Sequence, residues 1–335
     1  MRFLVTGGAG YIGSVVTVQL LEEGHEVMVL DNLSKGHRRA VPDGASFVRG
    51  DLLDAQRLAR VLTTGFDGVL HFAALSLVGE SARHPERYYR TNVSGTLNLL
   101  EGMLLAGVPR LVFSSTAAVY GEPEEVPIPE TAPTHPPNPY GGSKLAVDNL
   151  IGFHAEAHAL RATSLRYFNV VGASGRFGED HHPETHLIPL VLEVAAERRT
   201  SVEIYGTDYQ TPDGTAVRDY IHVEDLARAH LLALEGAGGR TSQGGEHRIC
   251  NLGNGAGFSV KEVVKTAREV TGREIEAVEA PRRPGDPAVL VASSRKIREE
   301  LGWAPKKPEL DVMISDAWEW MQAHPCGYRS GAFRY

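Results

Sequence analysis

Tyr140-Gly141-Gly142-Ser143-Lys144 sets a phenol and an ammonium four positions apart. On a helix that spacing puts both on one face, where they can address one bound molecule. A free phenol has a pKa of about 10 and is a poor base at neutral pH. An ammonium within hydrogen-bonding distance lowers that by roughly 1–3 units, which makes the phenolate available for proton transfer. By itself the pair is more often a solvated helix face. Here it follows Ser114-Ser115-Thr116 at the end of an apolar run and, far upstream, the glycine-rich Gly7-Gly8-Ala9-Gly10-Tyr11-Ile12-Gly13. That order weighs against a chance match.

The elements that must position these residues can be read from the N-terminus. Phe3–Thr6 is a short buried strand, and a helix from the glycine run to about Glu23 turns Ile12, Val15, Val16, Leu20 and Leu21 inward before Gly24 stops it. Glycines 7, 10 and 13 fit G-x-x-G-x-x-G, while 8, 10 and 13 fit G-x-G-x-x-G. Either spacing gives a tight turn, a backbone free to touch pyrophosphate, and a helix start packed on the strand. Strand Glu26–Leu30 ends at Asp31, followed by Asn32. An acid there can accept both hydroxyls of an adenine ribose and repels a 2′-phosphate, so the expected cofactor is NAD rather than NADP.

The alternation continues as in a doubly wound parallel α/β sheet. Strand Ser46–Arg49 runs into Gly50-Asp51-Leu52, where an acid and a backbone turn can hold the adenine. A helix over Asp54–Leu62 leads to strand Gly68–Phe72, whose edge residues Ala73 and Ala74 leave room for the cofactor. A long helix is expected from about Pro85 to Ala106, with Asn92 inside it needing a partner if it faces the sheet. Strand Arg110–Ser114, a proline-rich acidic excursion through Pro139, the Tyr140 helix and strand Ala162–Arg166 complete the pattern.

Beyond Arg166 the alternation loosens into a smaller mixed lobe. Tyr167–Gly172 is an exit at the cofactor face, and 178–186 is a polar loop with His181, His182 and His186. Its spacing matches no helical or zinc-finger pattern, so it reads as a solvated or substrate-facing loop, with no metal expected. Helix Leu187–Arg199, strand Val202–Tyr205, a core segment Arg218–Asp225, helix Leu226–Leu234 and a final helix near Leu310–Met321 follow. The segment near 215–235 is expected to return to the first lobe.

A length of 335 residues, 42% hydrophobic and 23% charged, suits a globular protein of two lobes or one large α/β domain. A net charge of −8 argues against a nucleic-acid or anionic-membrane surface. The start lacks a signal-peptide layout, and no apolar run approaches the roughly 20 residues of a membrane span. Cys250 and Cys326 have no metal-ligand spacing and read as thiols in a reducing cytoplasm.

Taken together, these motifs resemble the extended short-chain dehydrogenase/reductase family. Within it the resemblance is to the UDP-glucose 4-epimerases, carried also by Gly79-Glu80-Ser81, Leu165-Arg166-Tyr167-Phe168-Asn169, Asp213-Gly214-Thr215, Val217-Arg218-Asp219-Tyr220-Ile221-His222 and Trp318-Glu319-Trp320. It implies a Rossmann NAD-binding domain over 1–170 and a UDP-sugar lobe over 171–335. Tyr140 would be the acid or base on the sugar 4-hydroxyl, Lys144 would hold the nicotinamide ribose, and Thr116 would bind the 4-oxygen. The cofactor set would be Gly7, Gly10, Tyr11, Ile12, Gly13, Asp31, Asn32, Asp51, Leu52, Phe72, Ala73, Asn92, Ser114, Tyr140, Lys144 and Phe168. Asn169 would bind the diphosphate side, Arg218 and Arg283 would clamp phosphates, Tyr205 would stack near uracil, and Asp286 would bind the uridine ribose. Leu290 would gate the sugar C2 substituent.

The implied reaction is reversible C4 epimerisation of UDP-glucose and UDP-galactose by hydride transfer out to bound NAD and back. Leu290, shorter than a Tyr, leaves open some activity on the N-acetyl pair. A net nucleotide-sugar oxidoreductase and a silent NAD-sensing regulator are the remaining alternatives. Dehydration is disfavoured because Ala117 and Ala118 after Thr116 can neither donate nor accept a proton. Ser76 departs from the Lys many members carry and removes one cofactor contact. A homodimer is expected through helices near 85–106 and 141–159, with Leu104, Leu105, Leu150 and Ile151 beyond the core-facing stripe.

Overall fold

A computed structural model describes residues 1–236, 244–283 and 285–329. Pro284, inside the Arg282–Asp286 run, and 330–335 of the expected second lobe lie outside these. The first half reads β1 (Arg2–Thr6), α1 (Tyr11–Glu22), β2 (Glu26–Asp31), β3 (Ser46–Arg49), α2 (Ala55–Leu62), β4 (Gly68–His71), α3 (Val78–Arg83), α4 (Pro85–Tyr88), α5 (Gly95–Ala106), β5 (Arg110–Thr116), α6 (Pro139–His158) and β6 (Arg161–Tyr167). The second half reads β7 (Asn169–Val171), α7 (Leu187–Ala195), β8 (Val202–Tyr205), β9 (Val217–His222), α8 (Val223–Gly236), β10 (Glu246–Leu252), β11 (Gly257–Ser259), α9 (Val260–Thr271), β12 (Ala277–Ala280), β13 (Val289–Leu290), α10 (Arg295–Leu301) and α11 (Leu310–Ala323).

Seven parallel strands form the main sheet in the order β10-β6-β5-β4-β1-β2-β3. This is the expected Rossmann-type doubly wound sheet. Every residue of β4 and β5 is buried, as a strand covered on both faces must be. One face buries Val15, Val16 and Leu20 of α1 with Leu226 and Leu234 of α8. The other buries Leu58 and Leu62 of α2, Leu99 and Met103 of α5, and Val147 and Ile151 of α6. Each such side chain contributes roughly 1.5–3 kcal/mol by leaving water. The sheet is therefore a stiff platform whose strands all end at one edge.

The second lobe has its own core, in which Val191 and Leu192 of α7 meet Val263 and Ala267 of α9 and Ile314 and Trp318 of α11. It carries a small sheet in which β9 pairs with β7, β11 and β13. Helix α8 packs on α1, and β10 extends the main sheet beside β6. Strand β9, the stretch expected to go back, stays in the small sheet. Its backbone pairs there with β7, which follows β6 directly, and with β13.

Two helix boundaries differ from expectation. The long helix over 85–106 is broken by a wide π-type turn at Tyr89–Ser94. The helix after Leu187 ends at Ala195, and Glu197 beyond it takes a left-handed φ of 59°. No described helix is long and apolar enough to cross a membrane.

Candidate active site

The strand ends and the N-terminus of α6 build the reactive corner. Asn138 caps α6, its Oδ1 accepting the Gly141 N–H at 2.9 Å, and Pro139 occupies the first turn. Gly141 is required there because a Cβ would stand 2.4 Å from the Ala118 carbonyl oxygen. The close approach lays Tyr140 against the end of β5. Two further contacts fix the helix start: Tyr140 N donates to Ser81 Oγ at 3.2 Å, and Ser143 Oγ donates to the Tyr140 carbonyl at 2.8 Å. Asn92 locks the same corner. Its Nδ2 donates to Leu75 O and Ser143 Oγ at 3.0 Å each, and its Oδ1 accepts Leu75 N–H at 2.8 Å. The π-type turn rotates Asn92 inward to make these bonds.

Burial pushes the Tyr140 phenol above its ordinary value, and the Thr116 hydroxyl partly offsets that. The ammonium expected to lower the phenol is not among the groups that shift it, which are burial and Thr116. Lys144 donates to the Ser114 carbonyl at 2.7 Å and lies 4.7 Å over the Phe113 ring. A buried ammonium takes the nearest full acceptor, here the carbonyl at the end of β5. Burial draws Lys144 down to about 8, while Asp148 one turn on acts in the opposite sense. Asp148 is held by Arg166 at 2.9 Å and by Ser115 Oγ at 3.1 Å. Ser114 Oγ shares a very short hydrogen bond with the Tyr167 hydroxyl.

The glycine run forms a cradle. Gly7 has φ of +74°, and a Cβ on it would sit 2.5 Å from the Ala73 nitrogen. On Gly13 a Cβ would sit 2.5 Å from the Gly7 carbonyl oxygen, so only glycine lets α1 start this close to β1. Gly10 caps α1, leaving the helix N-terminus and the Tyr11 and Ile12 backbone beside the cradle. Tyr11 sends its hydroxyl to the Gly172 carbonyl at 2.6 Å, bridging to the second lobe. Asp31 is buried at the end of β2, accepting Leu33 N–H at 2.8 Å and Ala9 N–H at 3.1 Å. Burial raises its carboxyl. Asn32 Nδ2 donates to Asp51 at 2.9 Å, joining two strand ends. Leu52 packs in the core, and Phe72 and Ala73 N–H groups both reach the Thr6 carbonyl. A glycine cradle, a helix start and an acid at the second strand end fit NAD.

The second lobe faces this corner with paired side chains. Arg218 forms a very short ion pair with Asp286, and the Arg283 guanidinium lies 3.8 Å over the Tyr205 ring. Asn169 Nδ2 donates to the Asp219 carbonyl at 2.9 Å. Leu290 sits beside Arg218 in register and packs with Phe168 against Val119, Tyr120 and Ile128. Two groups escaped the sequence reading, Ser81 and Ser143. No residue signal marks a serine as a helix-start anchor without knowing which loop approaches it. In the polar loop of three histidines, Glu179, His181, Glu184 and His186 come together.

Comparison with known proteins matches residues 3–253 to the NAD dependent epimerase/dehydratase family. The chain is 60% identical over 329 residues to the UDP-glucose 4-epimerase of Streptomyces lividans, covering 98% of each. It superposes on a crystal structure of a UDP-glucose 4-epimerase with a TM-score of 0.94 at 50% identity, covering 98% of this chain and 100% of the other. On the UDP-glucose 4-epimerase of Brucella ovis in complex with NAD the TM-score is 0.91 at 44% identity, covering 95% and 97%. The family match runs through both the glycine cradle and the Tyr140 corner, and by that extent the chain belongs to the NAD dependent epimerase/dehydratase family.

Proposed function

We propose that the chain interconverts UDP-glucose and UDP-galactose by inverting the configuration at the sugar C4, with NAD as its cofactor. The observation that carries this is Tyr140, whose phenol meets the Thr116 hydroxyl at the end of β5, on the same sheet edge at which the glycine cradle follows β1. When bound, NAD supplies a hydride acceptor and donor for C4. Tyr140 moves the proton at the 4-oxygen, and Thr116 hydrogen-bonds that oxygen. Lys144, docked on the Ser114 carbonyl, brings a cation to the nicotinamide ribose, with Asn92 keeping the helix start in place. Gly7, Gly10, Tyr11, Ile12 and Gly13 receive the pyrophosphate. Asp31 and Asn32 take the adenine ribose, and Asp51 and Leu52 the adenine. Phe72, Ala73, Ser114 and Phe168 line the nicotinamide half.

On the substrate side, Asn169, Arg218 and Arg283 hold the diphosphate, Tyr205 stacks near uracil, Asp286 takes the uridine ribose, and Leu290 borders the sugar C2. The charges of Arg218 and Asp286 are already side by side, so a UDP-sugar exchanges one set of charged partners for another. Ala117 and Ala118 beside Thr116 supply no acid for dehydration. The resemblance to plain UDP-glucose 4-epimerases favours this reaction over N-acetyl-sugar conversion or net oxidoreduction.

In this reading residues 1–170 serve the cofactor and 171–335 the UDP-sugar, with the segment near 215–235 leading back to the first lobe. The packing of α8 on α1 supports the return. A reducing cytoplasm suits Cys250 and Cys326, both free thiols. A homodimer through α5 and α6 completes the reading.

The experiment mixes purified protein with UDP-galactose and no added cofactor. UDP-glucose forms, and denaturing the protein releases NAD rather than NADP. Tyr140→Phe still carries NAD but loses roughly 10²–10⁴-fold in kcat, the scale of one general acid–base group. No UDP-glucose from the wild type, or near-normal turnover in the variant, sinks the assignment.

A further inference from the structure

Four side chains outside the reactive corner converge on one point. Glu179, His181, Glu184 and His186 all belong to the loop between β7 and α7, and one ligand atom from each lies within 4.8 Å of the others. His181 Nδ1 is 3.0 Å from Glu179 Oε1 and 3.9 Å from Glu184 Oε2. His186 Nδ1 is 2.7 Å from Glu179 Oε1 and 3.1 Å from Glu184 Oε1. A tetrahedral zinc with bonds of about 2.0–2.1 Å has ligand–ligand edges of about 3.3–3.4 Å. These four separations, one of them to Glu184 Oε2 and the others to the Oε1 atoms, fall on either side of that edge.

The donors are also pre-oriented. Glu184 Oε1 accepts the Thr185 and His186 N–H groups at 2.7 and 2.8 Å, which fixes its carboxylate plane. Glu179 lines a small cavity together with Gly172, Ile188, Leu192 and Trp320, and only 10% of its side chain is exposed. His181 Nδ1 is buried and has no hydrogen-bond partner of acceptable geometry, although it points into the cluster. Held carboxylates and an unsatisfied ring nitrogen around one centre are what an outer layer of contacts does for a metal site.

We propose that Glu179, His181, Glu184 and His186 form a structural zinc site that ties the entry of the second lobe to the first. Two carboxylates balance the dication, two imidazoles add nitrogen donors, and four protein ligands close the shell. The loop is clamped from both sides. Lys35 Nζ donates to His182 O at 2.9 Å, and His37 Nε2 lies 3.0 Å from Asp180 O. From the other side Tyr328 N–H donates to Asp180 at 2.9 Å. The metal therefore holds a loop that the cofactor lobe and the C-terminal segment both grip. Its role is anchoring, since Tyr140 sits on α6 and none of the four ligands belongs to that corner.

The test uses the full chain, purified without metal-chelating resin, equilibrated with zinc and then dialysed into zinc-free buffer. Elemental analysis should find one zinc per chain, and a chelator should lower Tm, with added zinc restoring it. Cobalt in place of zinc should give the strong visible absorption of a four-coordinate ion. Glu184→Gln and His181→Ala should each lose the retained zinc and the cobalt absorption while keeping bound NAD, which shows that they fold. Wild type that retains no zinc and whose Tm ignores chelator overturns the proposal, leaving a charged histidine–carboxylate cluster. So does the weak absorption of six-coordinate cobalt, or full zinc retention by both variants.

Discussion

At the residue scale the instructive group is Lys144. Sequence spacing put it beside Tyr140, and the helix does set both on one side, but spacing says nothing of a competing acceptor. The Ser114 carbonyl is that acceptor. Asp31 and the glycines were legible because their types answer a backbone demand that is local in sequence. The Arg218–Asp286 pair and the Glu179–His186 cluster were not, because each depends on which turn a loop takes. Lys144 also makes a pH prediction. Burial brings it to about 8 in the folded chain, against roughly 10.4 when unfolded. Between those values the unfolded chain binds more protons, so stability rises with pH through that window and is flat below it. The difference of about 2.4 units is worth roughly 3 kcal/mol. In cofactor-free protein Lys144→Met should abolish that gain in urea stability between about pH 8 and about pH 10.5. Equal slopes in both proteins would show that Lys144 is not the group titrating.

At the element scale, the main sheet and its helices followed from the beat of apolar runs and glycine turns, and the α6 start from Asn138-Pro139. The break at Tyr89–Ser94 did not. A π-type turn keeps helical composition and changes only the hydrogen-bond interval, so periodicity over 85–106 reads as one helix. Its effect is visible in the contacts of Asn92, which joins the loop after β4 to α6 through Leu75 and Ser143. Asn92→Ala leaves the buried Leu75 N–H without its partner, costing about 1–3 kcal/mol. The start of α6 then loosens, so Tyr140 is held less well. The expected outcome is a lower Tm together with a fall in kcat larger than any change in KM. Ser143→Ala, which removes one of the three Asn92 bonds, should produce a smaller version of both. A kcat unchanged in Asn92→Ala would confine that residue to stability alone.

At the scale of the whole molecule, the question is what α5 and α6 do with their outer faces. The sequence reading placed Leu150 and Ile151 outward, and the structure corrects this. Ile151 is fully buried in the core and Leu150 packs against it, because α6 rotates that stripe onto α5 and the sheet. The outward apolar residues are instead Leu97, Leu104 and Leu105 on α5 and Phe153 on α6. Leu105 is 82% exposed and Phe153 70%, values at odds with a face meant for water. Each chain already brings two neighbouring helices, since α5 and α6 touch along their inner sides. A second copy related by a two-fold axis would complete four helices and bury the same residues from both chains. At roughly 1.5–3 kcal/mol per fully buried Leu or Phe, these side chains from two chains supply a substantial driving force for association. Light scattering at micromolar concentration should therefore report a dimer. Leu105→Glu with Phe153→Glu should shift it to monomer while leaving the seven-stranded core intact by circular dichroism. A wild-type monomer would remove the dimer from the reading, and a dimeric double variant would move the interface to another face.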